Sequence, residues 1–327
     1  MLTAAAATAG SRRRPIGRRV AGGSVPYLLV LPVVLVLAAI LGYPIYFLVK
    51  LSFQQYGLEE LVRQSGEYIG LDNFRTVLHD PLFWHVLLRT VVFTAVNVGL
   101  TMVLGTLIAL LLVRVSTWLR LLLTTGLVLV WAMPPVVAVQ VWQWMTNSQN
   151  GVLNYVLTKL HLDFVCGQPA HEAAASCFQH NWYETTFSQY AMVTSLIVWG
   201  AIPFVAITVY AALSQVPHEL VEAAQIDGAR AWRSFKDVTL PVLMPVLLIL
   251  TSLSVIWDFG VFTQPYLLIG PGQQTTSNYL MSTYLYYEGF GKNNFGIGSA
   301  ISLLMLLIVA ALSVVYVRRM LRVGEET

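Results

Sequence analysis

The sequence predicts an all-α integral membrane protein of six transmembrane helices, with its N-terminus and C-terminus cytoplasmic. Three observations carry this. First, 57% of the 327 residues are hydrophobic and only 11% charged, with a mean hydropathy of +0.68. A soluble domain carries about 25% charged residues, and a larger core cannot absorb the deficit, because a soluble fold must still cover its surface with polar side chains. Second, a spanning helix needs roughly 20 consecutive apolar residues, and charge-free runs of that length occur at 20–49, 90–113, 121–158, 185–218, 238–257, 259–287 and 293–317. Third, Lys and Arg are distributed unequally between the two sides that these runs define.

Taken in order, the spans fall near 25–49, 87–113, 120–144, 190–214, 241–262 and 296–317. The first follows Arg12-Arg13-Arg14 and Arg18-Arg19. A cleavable signal peptide has an apolar region of only about 7 to 15 residues, so this longer segment is expected to stay in the bilayer. The run 259–287 is excluded as a span because Gly270-Pro271-Gly272-Gln273-Gln274-Thr275-Thr276 at its centre has the chemistry of a loop. With these boundaries 13 of the 19 basic residues lie on the side of the termini, which the positive-inside rule makes cytoplasmic. The net charge of +3 then reflects membrane orientation and contact with lipid headgroups, and nucleic acid is not expected as a partner.

The organisation that follows is a basic cytoplasmic tail (1–24), a membrane domain (25–320) and a short cytoplasmic tail (321–327). No stretch between spans is long enough for a soluble domain. The enzyme motifs are missing too. Gly291-Lys292-Asn293 lacks the glycine spacing and the hydroxyl of a phosphate loop, and His171-Glu172 is followed by Ala175 where a zinc protease needs its second histidine. There is no G-x-S-x-G elbow. No catalytic residue, bound metal or bound cofactor is expected in this chain.

The most informative segment is the cytoplasmic loop 215–240. Pro217 suits the first turn of a helix, Glu219 and Glu222 stand near its positive end, and Gly228 is a natural C-terminal cap. A helix of about ten residues, roughly 15 Å long, is expected. A second helix should follow, with Arg230, Arg233 and Lys236 on one face and Trp232 and Phe235 on another, an interfacial pattern. Within the loop, Glu222-Ala223-Ala224, Gly228 after three residues, and Val238-x-Leu240-Pro241 after nine more resemble the E-A-A-x3-G-x9-I-x-L-P loop of permease subunits of bacterial binding-protein-dependent ABC importers, with Val238 for the isoleucine. Other stretches resemble the carbohydrate, maltose-type branch of that family: Ile69 to Phe74 with Asp80-Pro81 and Thr90; Pro134-Pro135 with Trp142, Gly151 and Asn154; and Gly270-Pro271 with Thr275, Tyr286, Phe290 and Gly296. The resemblance covers roughly residues 25–320.

The resemblance implies a subunit of an ATP-driven importer that moves a sugar or small oligosaccharide across the bacterial cytoplasmic membrane by alternating access. Glu222, Ala223, Ala224, Gly228, Leu240 and Pro241 would then form the coupling surface for a partner ATPase. It also implies a second homologous permease in a heterodimer, two ABC ATPase copies holding ATP and Mg, and an external solute-binding protein, which in some systems is a lipoprotein. The competing expectation, a stand-alone ion-coupled secondary transporter, calls for internal repeats and a midplane carboxylate. Here Asp258 is the one acidic residue inside the six assigned spans.

Polar and aromatic residues within spans are the candidates for a substrate pathway, because polar groups are costly in lipid and tend to face cavities or partner helices. They are Asn97, Gln140, Trp199, Trp257 and Asp258. A tryptophan gives a flat face for the C–H side of a sugar plus one N–H donor, although each is equally at home in an interfacial belt, and Asp258 lies close enough to the outer end of its span to be solvated. Cys166 and Cys177 share the outer loop 145–189. Gln168, His171, Glu172 and Gln179 make their surroundings polar, so a disulfide worth roughly 3 kcal/mol is expected over two buried or lipid-facing thiols.

Overall fold

The computed structural model describes residues 25–166, 177 and 180–326. The basic tail 1–24 and the polar neighbours Gln168, His171, Glu172 and Gln179 lie outside the described residues. The chain divides into two units at Lys50 and Leu51. The first holds all but the last two residues of helix α1, Val25–Ser52, which is mainly apolar, with Lys50 in its last turn and Pro32 and Pro44 inside it. The 28 residues of α1 are ample for a bilayer core about 30 Å thick.

The second unit opens on a small collar. Strands β1 (Gln54–Gln55) and β2 (Glu67–Tyr68) pair antiparallel, with helix α2 (Leu58–Arg63) between them. Helix α3 (Asp72–His79) follows. Asn73 ties it to this collar, donating from Nδ2 to the carbonyls of Ser52 (3.0 Å) and Gln54 (2.8 Å). Gly296 donates to the Tyr56 carbonyl at 3.0 Å, and a side chain there would strike the Gln54 carbonyl.

Helix α4 runs from Pro81 to Arg114, starting six residues before the expected span. The reason is local: Asp80 accepts the Leu82 N–H at 2.9 Å and Pro81 fills the first turn, where no donor is needed. At its other end Arg120 caps the helix, donating to the carbonyls of Leu112 (2.8 Å) and Val115 (3.1 Å) while lying 5.5 Å from the Tyr210 ring. The expected third span, 120–144, is not one helix. It is α5 (Thr117–Trp131) and α6 (Pro135–Met145), bent by 100°. Pro134 and Pro135 explain the break, since a proline lacks the N–H a helix interior requires and clashes with the preceding turn.

Helix α7 (Val152–Lys159) lies in the outer loop, where Cys166 and Cys177 are bonded to each other, with Cα atoms 5.6 Å apart. Both sulfurs pack with buried Trp182, whose indole donates to Asn154 Oδ1 at 2.6 Å. Helix α8 (Thr186–Leu213) lies along α4. Small residues allow the approach: a Cβ on Gly105 would come within 2.6 Å of Val205 Cγ1.

After α9 (His218–Ile226) and α10 (Ala231–Ser234), a π-helical turn at Phe235–Thr239 leads without a break into α11 (Leu240–Phe259). The fifth span thus ends at Phe259, short of the expected 262. The segment expected to be a loop, 259–287, is instead largely built into the core as α12 (Thr263–Ile269) and α13 (Met281–Tyr286), with Leu268, Ile269, Tyr279, Leu280, Met281 and Tyr284 buried. Several of its polar groups are paired within the protein, although Gln274 Oε1 is buried without a partner among the described residues. Asn278 donates to Gln189 Oε1 (3.0 Å) and the Gln273 carbonyl (2.8 Å), and Gln143 from α6 donates to the Leu267 carbonyl at 2.7 Å. Helix α14 (Phe295–Glu326) forms the last span and continues through most of the segment expected as a tail.

Candidate functional site

The α5–α6 break, the middle of α8 and the junction of α11 with α12 enclose a cavity of about 400 Å³, a size typical of small-molecule sites. Each element contributes for a local reason. Trp131 is the last residue of α5 and Pro135 the first of α6, so the bend opens a gap that a straight helix would fill. Trp199, Gly200 and Ala201 present one large and two small residues from α8. Trp257 and Asp258 come from the last turn of α11, and Thr263 and Gln264 from the first turn of α12.

The walls are mainly aromatic. Trp131 and Phe204 are nearly parallel, 6.2 Å apart with an interplanar angle of 16°, Phe204 meets Trp257 at 5.6 Å, and Trp199 is backed by Trp142 at 4.9 Å. Trp257 is 53% exposed, whereas Asp258 is 7% exposed. Among the described residues Asp258 makes no ion pair, and no Lys, Arg or His lines the cavity. The result is a slot of flat apolar faces with a carboxylate, an amide and a hydroxyl on one side, able to stack on a ring and hydrogen-bond its substituents.

Trp199, Trp257 and Asp258, expected on the pathway from sequence, therefore meet at one site. Asn97 and Gln140 do not join them. Asn97 is fully buried on α4, its Nδ2 donating to the Phe93 carbonyl at 2.8 Å, and Gln140 is exposed on α6 away from the cavity. Trp131, Phe204, Phe262, Thr263 and Gln264 were not anticipated. Pro134-Pro135 beside Trp131 was the available signal, because a helix broken inside a membrane is tolerated where it lines a cavity or is buried in protein.

At the other membrane face, α9 stands with Glu222 and Ala223 exposed and Ala224 half-buried. Its end is a Schellman turn: Gly228 N–H donates to the Gln225 carbonyl (3.0 Å) and Ala229 N–H to the Ala224 carbonyl (2.9 Å). Gly228 has φ +83°, the left-handed region that favours glycine. The expected second helix is only the four residues of α10, after which the π-helical turn merges the basic segment into α11. Leu240 and Pro241 occupy the first turn of α11. Trp232, 73% exposed, stacks on Phe235 at 5.9 Å.

Comparison with known proteins agrees with this architecture. Residues 101–323 match the family described as binding-protein-dependent transport system inner membrane component. The chain is 43% identical to the diacetylchitobiose uptake system permease protein DasB of Streptomyces coelicolor, over 98% of this chain and 93% of that one. It is 31% identical to the trehalose/maltose transport system permease protein MalF of Thermococcus litoralis, over 89% and 92% of the two chains. Among solved structures, a bacterial ABC transporter involved in the import of the acidic polysaccharide alginate superposes with a TM-score of 0.74 at 19% identity, covering 93% of this chain and 97% of that one. The chain belongs to the binding-protein-dependent transport system inner membrane component family.

Proposed function

We propose that this family member, a multi-pass protein of the bacterial cytoplasmic membrane, passes a neutral sugar or small oligosaccharide through the cavity between α5, α8 and α11. The observation that carries the reading is the lining itself: aromatic faces, the buried Asp258 and no basic residue. Tryptophan and phenylalanine faces cover the apolar C–H faces of a pyranose, while Asp258 accepts and Gln264 donates or accepts hydroxyl hydrogen bonds. An anionic sugar would meet the carboxylate without a compensating cation. The sugars in the names of the two relatives, diacetylchitobiose and trehalose/maltose, are of this neutral class.

The chain performs no chemistry of its own. ATP and Mg are held by two copies of a partner ATPase, a second homologous permease completes a heterodimer, and an external solute-binding protein delivers the sugar. The ATPase receives α9, whose exposed small residues let it sit deep in a groove. Because α9 lies between α8 and α11, its movement shifts two walls of the cavity and exposes the site alternately to either side. Family membership leaves the ion-coupled carrier without support.

The test is uptake by the complete importer of a labelled sugar chosen by ligand screening of the cognate binding protein. A hydrogen bond to a charged group is worth about 1.5–3 kcal/mol, so Asp258→Ala should lower uptake about tenfold or more, Asp258→Asn less, and Trp257→Ala comparably. The ATPase should still co-purify. Wild-type uptake in both alanine variants would remove the cavity from the pathway.

A further inference from the structure

A second cavity, of about 630 Å³, opens between α4 and α8 away from the sugar site. On α4 it follows His85, Leu88, Arg89, Val92 and Val96, one stripe at helical spacing. The stripe spans roughly 16 Å along the axis, close to half the bilayer core of about 30 Å. Its polarity is graded. His85 and Arg89 lie towards the helix start that the charge distribution assigns to the exterior, with Phe187 opposite, and the deeper part is lined by exposed Val92 and Val96 with Ala191 and the hydroxyl-bearing Thr194 opposite.

Arg89 also sits at the right depth. The 34 residues of α4 span about 51 Å, which overshoots the core by about 10 Å at each end when centred. Arg89, about 12 Å from the first residue, then stands at the boundary between headgroups and hydrocarbon. One of its terminal nitrogens donates to the carbonyls of Thr276 (3.2 Å) and Tyr279 (3.0 Å), and its remaining N–H groups are available to a further acceptor. No carboxylate among the described residues pairs with it. The hydroxyl of Tyr190 lies beside the guanidinium, is enclosed, and finds no acceptor for its proton among the described residues.

We propose that this groove binds one anionic phospholipid of the outer leaflet, its phosphate held by Arg89 and one acyl chain lying along Leu88, Val92 and Val96. A cation at one end of an apolar slot half a bilayer long is the complement of an amphiphile with an anionic head. A helix of a second subunit would use the apolar stripe but would have to bring a carboxylate of its own to the depth of Arg89, whereas a phospholipid carries its anion at that depth.

The experiment takes the complete importer complex in nanodiscs of mixed phosphatidylglycerol and phosphatidylcholine and counts co-purifying lipid by native mass spectrometry. The wild type should retain one phosphatidylglycerol per copy of this chain. Arg89→Gln should lose the preference for phosphatidylglycerol by about fivefold, the effect of one basic residue near an anionic lipid. Val96→Phe fills the slot but leaves Arg89 and its carbonyl bonds intact, so it should lose the retained lipid in an assembled complex. It decides the matter should Arg89→Gln fail to assemble. Equal phosphatidylglycerol retention in the wild type and Val96→Phe would overturn the proposal, as would a photo-crosslinker at Val92 that captures the second permease in place of lipid.

Discussion

Gly228→Val isolates the coupling turn. With φ at +83°, the turn costs an L-residue roughly 1–2 kcal/mol, and a β-branched side chain is among the worst fits there. No atom lies within 4 Å of a Cβ built at this position, so no internal collision adds to that cost. If valine refuses the turn, that strain is relieved but the Gly228–Gln225 and Ala229–Ala224 hydrogen bonds open instead, each worth a net 0.5–1.5 kcal/mol or so. Either route costs about 1–3 kcal/mol, enough to displace a local turn, while the buried contacts of α4, α8 and α11 are untouched. The expected result is a fully assembled membrane domain with weakened ATPase co-purification, reduced uptake and poor stimulation of ATP hydrolysis by substrate. Gly228→Asn separates two causes, because asparagine tolerates the left-handed region yet still places a side chain on the docking surface. Recovery with asparagine assigns the defect to the backbone, and failure assigns it to the contact. Glu222→Ala should be mild, since Glu222 is exposed beyond the first turn of α9 and makes no ion pair among the described residues, and a surface charge of this kind contributes about 0–1 kcal/mol. Full uptake and normal stimulation in Gly228→Val would refute the reasoning and make residues 215–240 a passive connector.

Gly105→Val should lower the melting temperature of the purified complex, because its Cβ would sit 2.6 Å from Val205 Cγ1 and overpacking costs about 1–3 kcal/mol; an unchanged melting curve would contradict the close α4–α8 approach. Asn73→Ala removes two hydrogen bonds to the Ser52 and Gln54 carbonyls, an expected loss of about 1–3 kcal/mol, seen as faster proteolysis of the 54–79 segment; wild-type resistance would show that the collar does not depend on it. Cys166→Ser should destabilise the outer loop by up to about 3 kcal/mol in thermal unfolding without reductant. In intact cells the wild type should show no reactive thiol, and a count of two would remove the bond.

Spans 1, 2, 4 and 6 were legible because each is a long apolar run, and in a bilayer such a run has little choice but to form a helix. What stayed hidden was everything that depends on a partner in space. The third span reads as one apolar stretch, and only the folded chain shows that Pro134-Pro135 turns it by 100° to make room beside Trp131. The 259–287 segment has turn composition, yet Asn278 and Gln189 satisfy each other in the interior, a pairing across 89 positions that no local pattern reveals. The same logic separates the substrate candidates. Asn97 is costly in lipid and so was marked by its chemistry, but it is buried beside the Phe93 carbonyl and does not line the cavity, whereas Trp131 looked ordinary until the bend exposed it. The turn at Gly228 was legible because glycine past the end of a short helix is a local signal.

The cavity and the α9 region are joined by covalent structure. Helix α8 contributes Trp199 and Phe204 to the cavity and ends at Leu213, five residues before α9 begins. Helix α11 contributes Trp257 and Asp258 and is continuous with the turn that follows α10. From Leu240 to Asp258 the helix measures about 27 Å, nearly the thickness of the hydrocarbon core. A displacement of α9 therefore reaches the carboxylate through one element of regular helix. The opposing wall, the α5–α6 bend, is linked to the same region through Arg120, which caps α4 and lies over Tyr210 of α8, a contact near the cytoplasmic end. On the proposed reading two walls move with α9 while the third is held by its proline break and by the Gln143–Leu267 bond to α12. The cavity sits where these differently anchored elements meet, so under that proposal a shift of α8 and α11 against the bend would change the spacing of Trp131, Trp199 and Trp257 and with it the grip on a sugar ring.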